Sequence, residues 1–284
     1  MAFSVTPDSP CRHSRSRFAN TSSYAMSPSI YYRRVTTWDA LLLVAAGIGA
    51  GLSGSIAGLA SLVSYPALLA VGLAPVTANV TNTVALVFSS VGSVAGSRPE
   101  LRGQRGRIRQ LGVVAVAGGV AGGVLLLVTP AGSFERVVPW LIGLGSLAIL
   151  APRRPALDPD DLHVPASRLL VAGIFLIGIY AGYFGAAAGV LMVALLLIAT
   201  PDTLARSNAL KNVLLGLANV VAAIIFAVFG PVHWVAVIPL AAGLLVGSRV
   251  GPIVVRHSPA RVLRVLIALA GVGLAVHLGL DAYR

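Results

Sequence analysis

Long apolar runs separated by short polar stretches fill the chain from residue 38 almost to its end. They lie at about 38–58, 62–73, 77–97, 111–128, 137–150, 169–199, 203–229, 233–255 and 262–280. One helical crossing of a bilayer needs about 20 apolar residues, so the pattern predicts about eight spans. The run at 62–73 is too short to span alone and indicates a half-helix or re-entrant segment, whereas 169–199 is too long for one straight span.

Two of these runs are rich in glycine, at 51–58 and at 182–189. Glycine weakens a helix, so we expect breaks near Gly54–Gly58 and near Gly182–Gly189. A helix interrupted inside the membrane exposes free N–H groups with a partial positive charge, which bind anions without a charged side chain. The alternative interpretation is close packing of helices through small residues.

The two halves of the chain resemble each other. Each has a glycine-interrupted span, then a short apolar stretch, then a helix that carries amides, and residues 78–84 align with residues 207–213. Such duplication with broken helices at matching positions is typical of transporters. We therefore predict an all-α polytopic integral membrane protein with a first transmembrane repeat at 38–151, a polar linker at 152–167 and a second repeat at 168–284.

Composition agrees with a lipid environment. Hydrophobic residues make up 57% of the chain and charged residues 11%, against about 25% charged residues in soluble domains. Residues 1–37 have no apolar run of the kind found in a secretory signal and are expected to form a disordered tail, with Met26 as a second candidate start. Cys11 is the single cysteine, so no internal disulfide and no thiolate metal cluster is expected.

The net charge of +12 does not indicate a nucleic-acid partner, because the arginines lie between the apolar runs and are typical of loops that orient a membrane protein. With eight alternating crossings, more Lys and Arg fall on the side of the N-terminus, the 98–109 loop and the linker. This favours a cytoplasmic N-terminus. The four arginines around the last hairpin fall on the other side and argue against it; they are Arg249, Arg256, Arg261 and Arg264.

Acidic residues are absent from the interiors of the predicted spans, since Asp39, Glu135 and Asp202 lie at span starts. This argues against a cation pump or a proton relay. The remaining polar groups are predicted to bind a substrate, at Gly58, Ser61, Asn79, Asn82, Gly185, Asn208, Lys211 and Asn212. Each assignment has an alternative. The amides are equally suited to form hydrogen bonds between helices, and the long side chain of Lys211 can extend so that its ammonium group reaches the membrane surface.

Residues 58–66 followed by 78–83 resemble the first half of the sulfite exporter TauE/SafE family, and residues 180–189 with 207–212 resemble its second half. The resemblance implies a duplicated permease of the bacterial inner membrane that carries sulfite, organosulfonates or related sulfur-containing anions, with export expected. It implies no enzyme activity and no cofactor, and leaves a homo-oligomer open. Relatives often carry a glycine and a polar residue where this chain has Ala187 and Ala188.

Two other classes of protein compete with a transporter. The segment Gly51–Gly54 contains the Gly-x-Ser-Gly pattern of rhomboid-type intramembrane proteases, with Ser53 as nucleophile and His233 or His277 as candidate base. A four-residue match is weak in a glycine-rich apolar span. A membrane subunit without transport activity needs neither broken helices nor duplication, so it explains less of the pattern.

Overall fold

The computed structural model describes residues 35–150, 166–200 and 202–255, together with isolated positions between 269 and 280. Every regular element in these ranges is a helix, which confirms the predicted all-α class. The helices are α1 (Thr37–Ala57), α2 (Ala60–Ala70), α3 (Pro75–Gly96), α4 (Arg98–Leu101), α5 (Arg105–Val128), α6 (Ala131–Leu150), α7 (Ala166–Tyr183), α8 (Ala188–Ala199), α9 (Leu204–Phe229) and α10 (Trp234–Val255).

Four described helices are long and apolar enough to cross a membrane, within α1, α3, α5 and α9. Shorter apolar helices lie within α2, α7, α8 and α10. Large apolar side chains on their outer surfaces are exposed, for example Val113, Leu176 and Ile238, as expected where lipid replaces water. Three predicted segments lie largely outside the described residues. They are the tail at 1–37, of which only 35–37 are described, the linker at 152–167, of which only 166–167 are described, and most of the eighth span at 262–280.

Both predicted helix breaks are present. α1 ends at Gly58, whose φ of +75° turns the chain, and α2 begins two residues later. α7 ends at Tyr183, Gly185 has a φ of +72°, and α8 begins at Ala188. Glycine is the residue that adopts this left-handed conformation without a steric penalty. The glycine pattern therefore marked both breaks correctly.

Neighbouring helices show which way each one runs. Gly47 and Gly51 of α1 lie against Gly243 and Gly247 of α10, so these two helices are parallel. In the same way α5 is parallel to α7, through Gly118 with Gly178 and Gly122 with Ile179. α5 is also parallel to α9, through Gly119 with Ala218 and Gly123 with Ala222.

α3 is parallel to α10. The backbone N–H of His233, at the start of α10, donates a hydrogen bond to Thr81 Oγ1 at 3.0 Å, and Gly92, later in α3, lies against Ser248, later in α10. α1, α3 and α10 therefore begin at one face of the protein, which we call the amino-terminal face. α5, α7 and α9 begin at the other, which we call the arginine face because Arg98–Arg109 lie there.

These directions make α1–α2 and α7–α8 re-entrant hairpins. α1 and α3 both begin at the amino-terminal face, so α2 must return to that face; α7 and α9 both begin at the arginine face, so α8 must return there. The side chains agree, since Gly49 packs against Val63 and Gly173 against Leu195. Re-entrant segments are stable at membrane depth when protein surrounds them, and here buried residues of α2 and α8 include Leu68 and Met192.

The sequence-based scheme of alternating crossings was therefore wrong in one respect. It placed the 98–109 loop and the start of α9 on opposite sides, whereas Arg107 and Arg206 both form ion pairs with Asp202. The N-terminus of α1 and the arginine-rich loop were expected on the same side and lie on opposite faces. α1 and α7, the first helices of the two hairpins, begin at opposite faces, so the two hairpins are inverted relative to each other.

Candidate functional site

A cavity lies where the two helix breaks meet. Its volume is about 60 Å³, room for about four water molecules. It is lined by Gly54, Gly58, Ala60, Ser61, Leu86, Ser89, Ser90, Ser93, Ala181, Gly185, Ala188, Gly189, Lys211, Asn212, Leu215 and Asn219. Among these described lining residues none is acidic, and the polar side chains all carry hydrogen-bond donors.

The first turns of both half-helices line this cavity, through Ala60 and Ser61 of α2 and through Ala188 and Gly189 of α8. Neither half-helix has a side-chain cap among the described residues. The first N–H groups of a helix carry a partial positive charge. Some of them donate to the preceding turn here, Ala188 to the Gly185 carbonyl oxygen and Val190 to that of Ala187, which leaves the N–H groups of Ala60, Ser61 and Gly189 for the cavity. Two such ends at one cavity form an environment that stabilises an anion.

The breaks touch through Gly58 and Gly189. A Cβ atom placed on either residue would overlap the Cα atom of the other, so only glycine permits this contact. It brings the two half-helix ends together across the boundary between the repeats. The glycines of the two runs thus divide into two roles: Gly58, Gly185 and Gly189 form the junction, while Gly51 and Gly182 pack helices.

Lys211 and Asn212 supply two buried polar side chains that line the cavity. Lys211 is 1% exposed and donates from Nζ to the Gly54 carbonyl oxygen at 3.2 Å, so it does not reach the membrane surface. Asn212 is 7% exposed, and its Nδ2 has no hydrogen-bond partner among the described residues. A buried donor without a partner is costly to leave unsatisfied.

The other three predicted amides do not line the cavity. Asn79 donates from Nδ2 to the Tyr183 carbonyl oxygen at 2.8 Å. Its repeat equivalent, Asn208, donates to the Ser55 carbonyl oxygen at 3.0 Å. Each bond therefore runs from one repeat to the end of the first hairpin helix of the other repeat. Asn82 accepts a hydrogen bond from Ser64 of α2 at 2.6 Å.

Of the eight residues predicted from sequence, the cavity brings together Gly58, Ser61, Gly185, Lys211 and Asn212. Sequence reasoning missed the hydroxyls of α3 and Asn219 of α9. Ser89 and Ser93 are spaced i,i+4 and share one helix face, a signal present in the sequence. It was overlooked because serine is common in membrane helices as a partner of its own backbone.

Ser53 does not have the environment of a protease nucleophile. Its hydroxyl donates to the Ala50 carbonyl oxygen of its own helix at 3.2 Å. His233 begins α10 at the amino-terminal face, and its Nδ1 accepts from the Ala236 N–H at 3.3 Å. Because α1 and α10 are parallel, Ser53 and His233 lie about 24 Å apart along the helix axes. His277 lies outside the described residues.

Two re-entrant hairpins that enter from opposite faces and meet at a donor-lined cavity are typical of membrane transporters. The model of the family "Sulfite exporter TauE/SafE" matches residues 43–278. The chain therefore belongs to the sulfite exporter TauE/SafE family.

Curated relatives are similar along most of their length. "Probable membrane transporter protein ORF9" of Sinorhizobium sp. is 28% identical over 250 residues, which cover 85% of this chain and 92% of the relative. "Probable membrane transporter protein YfcA" of Escherichia coli K12 is 25% identical over 239 residues, covering 82% and 87%. No solved structure matches the chain.

Proposed function

We propose that this protein exports small sulfur-containing anions, such as sulfite or organosulfonates, across the bacterial inner membrane. One observation carries the proposal: two uncapped half-helix ends, the buried ammonium of Lys211 and the unpaired amide of Asn212 all meet at one cavity. The family model supports the substrate class through its description as a sulfite exporter. The printed names of the relatives describe transport and specify no substrate.

In this proposal the predicted residues act in two ways. Ser61, Lys211 and Asn212 donate hydrogen bonds to the anion, while Gly58 and Gly185 let the backbone approach it. Asn79, Asn82 and Asn208 position the hairpins without touching the anion, because their hydrogen bonds run to backbone or to Ser64. The backbone donors supply charge complementarity without adding a second buried cation.

The membrane potential is the proposed driving force. No carboxylate lies within the described spans away from their ends, and carboxylates are the usual intramembrane carriers of coupled protons and sodium ions. A monoanion leaving a cell with a negative interior gains about 2.3 kcal/mol per 100 mV. That gain corresponds to roughly fifty-fold outward accumulation.

Flux in proteoliposomes tests this proposal. Purified protein is reconstituted, and the flux of sulfite, thiosulfate, sulfate, a sulfonate and chloride is measured at zero potential and after a potential step. We expect saturable flux of at least one sulfur oxyanion that increases with the driving potential. Flux that ignores the potential and follows a pH gradient would contradict the uncoupled mechanism, and flux equal to protein-free liposomes for every anion would contradict anion transport.

A further inference from the structure

The cavity extends from the middle of the helices toward the arginine face. On α3 its lining residues are Leu86, Ser89, Ser90 and Ser93, all in the half of the helix that ends at the arginine face. On α9 they run from Lys211 to Asn219, and α9 begins at the arginine face. Ser93 lies three residues before the end of α3, which is about 5 Å from that end.

The other side of the protein is closed between the same two helices. Every residue of α3 from Thr77 to Leu86 is buried. Farther along α9, Ala218, Ala222 and Phe226 have no exposed surface, and Ala218 and Ala222 pack against Gly119 and Gly123 of α5. Buried side chains, both apolar and polar, therefore fill the amino-terminal side in the described part of the chain, while the arginine side keeps the cavity.

The polar side chains with which α3 and α9 line the cavity suit an anion. Ser89 and Ser93 share a face of α3, and Asn212 and Asn219 lie on α9 at the same cavity. All four carry donors, and none of the described lining residues repels an anion. The arginines at the end of this path add a positive potential that attracts anions to its mouth.

We propose that the anion enters along this path, lined by Ser89 and Ser93 of α3 and by Asn212 and Asn219 of α9, and that the arginine face is cytoplasmic. The path part rests on the proposed function. The orientation follows from the distribution of positive charge, because cytoplasmic loops are enriched in Lys and Arg. The described arginines at this face are Arg98, Arg102, Arg105, Arg107, Arg109, Arg168, Arg206 and Arg249.

The amino-terminal face carries fewer positive residues. Among the described residues it has one arginine, Arg136. Arg249, which opposed the sequence-based scheme, now lies on the majority side because α10 ends at the arginine face. The N-terminus of α1 is therefore extracytoplasmic, and the structure is open to the cytoplasm, where an exporter loads its substrate.

Cysteine labelling tests both parts. Cys11 is the single cysteine, so Cys11→Ser provides the background for Ser93→Cys, Ser89→Cys and the control Ser133→Cys, which lies exposed at the start of α6 on the amino-terminal face. A membrane-impermeant anionic methanethiosulfonate is applied to spheroplasts and to inverted membrane vesicles. Labelling after denaturation verifies that each thiol is present and free.

We expect Ser93→Cys and Ser89→Cys to react in inverted vesicles only, at least fivefold more slowly with a saturating sulfonate, which does not consume the reagent, and Ser133→Cys to react in spheroplasts only. Reaction of Ser133→Cys in inverted vesicles only would overturn the orientation. Path cysteines that stay unreactive from both sides, or that no tested anion protects, would overturn the path. Sided labelling without any anion flux in liposomes would refute the proposed function and leave the orientation standing.

Discussion

Replacing Lys211 by methionine separates the stability of the fold from binding of the anion. Lys211 is 1% exposed, and its ammonium group donates to the Gly54 carbonyl oxygen at 3.2 Å. No carboxylate pairs with it among the described residues. Its positive charge is therefore balanced only by backbone dipoles until an anion enters the cavity.

The expected change in stability is small and favourable. A lysine at the centre of a span costs about 2.5–3.5 kcal/mol, and a hydrogen bond from a charged donor returns about 1.5–3 kcal/mol. The net cost in the empty protein is therefore about 1 kcal/mol, which Lys211→Met removes. The Gly54 carbonyl oxygen keeps its bond from the Gly58 N–H at 2.8 Å, so the substitution leaves no unpaired group behind.

Bound anion should reverse this order of stability, because it stabilises the wild type and not Lys211→Met. A ligand present at 100 times its dissociation constant stabilises the protein that binds it by about 2.7 kcal/mol. We expect sulfite to raise the stability of the wild type in detergent and to leave Lys211→Met unchanged, with sulfite flux reduced at least a hundredfold. Lys211→Arg, which keeps the charge, serves as the matched control and should retain part of the shift.

Thermal unfolding with and without sulfite, measured beside liposome flux, decides this prediction. The reasoning is refuted if Lys211→Met is less stable than the empty wild type by more than about 2 kcal/mol, since the lysine would then be a structural requirement. It is refuted equally if sulfite stabilises the methionine variant as much as the wild type.

Three further substitutions follow from the junction. Gly189→Ala places a methyl group where the Cα atom of Gly58 lies, so it should abolish flux and lower the yield of folded protein. The control Gly132→Ala, which has open space around it, should keep both flux and yield. Equal yields of the two variants would contradict this prediction. Ala187→Gly relieves a φ of +60° and should raise stability in thermal unfolding by about 1 kcal/mol; a loss of stability would argue against strain. Asn79→Ala removes the hydrogen bond to the end of α7 and should lower the free energy of unfolding by about 0.6–1.7 kcal/mol. A change near zero in urea or thermal unfolding would contradict this prediction.

Much of the fold was predictable because lipid imposes strong constraints on sequence. Apolar runs of about 20 residues have few structural alternatives, and left-handed backbone at the breaks requires residues such as Gly58 and Gly185. The direction of the hairpins was not predictable from run length. The 169–199 run has the length of a broken crossing and of a hairpin alike, and only contacts such as Arg107 with Asp202 distinguish them.

The candidate site was predictable in part for a related reason. Lys211 and Asn212 were identified because a charge or an amide in an apolar helix is unusual. Whether an amide faces a cavity or a backbone carbonyl depends on helix rotation and crossing, which the spacing of Asn79 and Asn208 alone does not determine. The serines of α3 were missed because Ser89 resembles any small residue of a packed membrane helix.

Anomalous scattering from bound selenite tests the central claim most directly. Selenite has the shape and charge of sulfite, and its selenium atom can be located in crystals of the protein without ambiguity. We predict one strong anomalous peak in the cavity between the first turns of α2 and α8, within hydrogen-bond distance of Asn212 Nδ2, and no such peak in crystals of Lys211→Met. Peaks confined to the arginine face, or an unchanged cavity peak in Lys211→Met, would contradict the claim that this junction is the anion site.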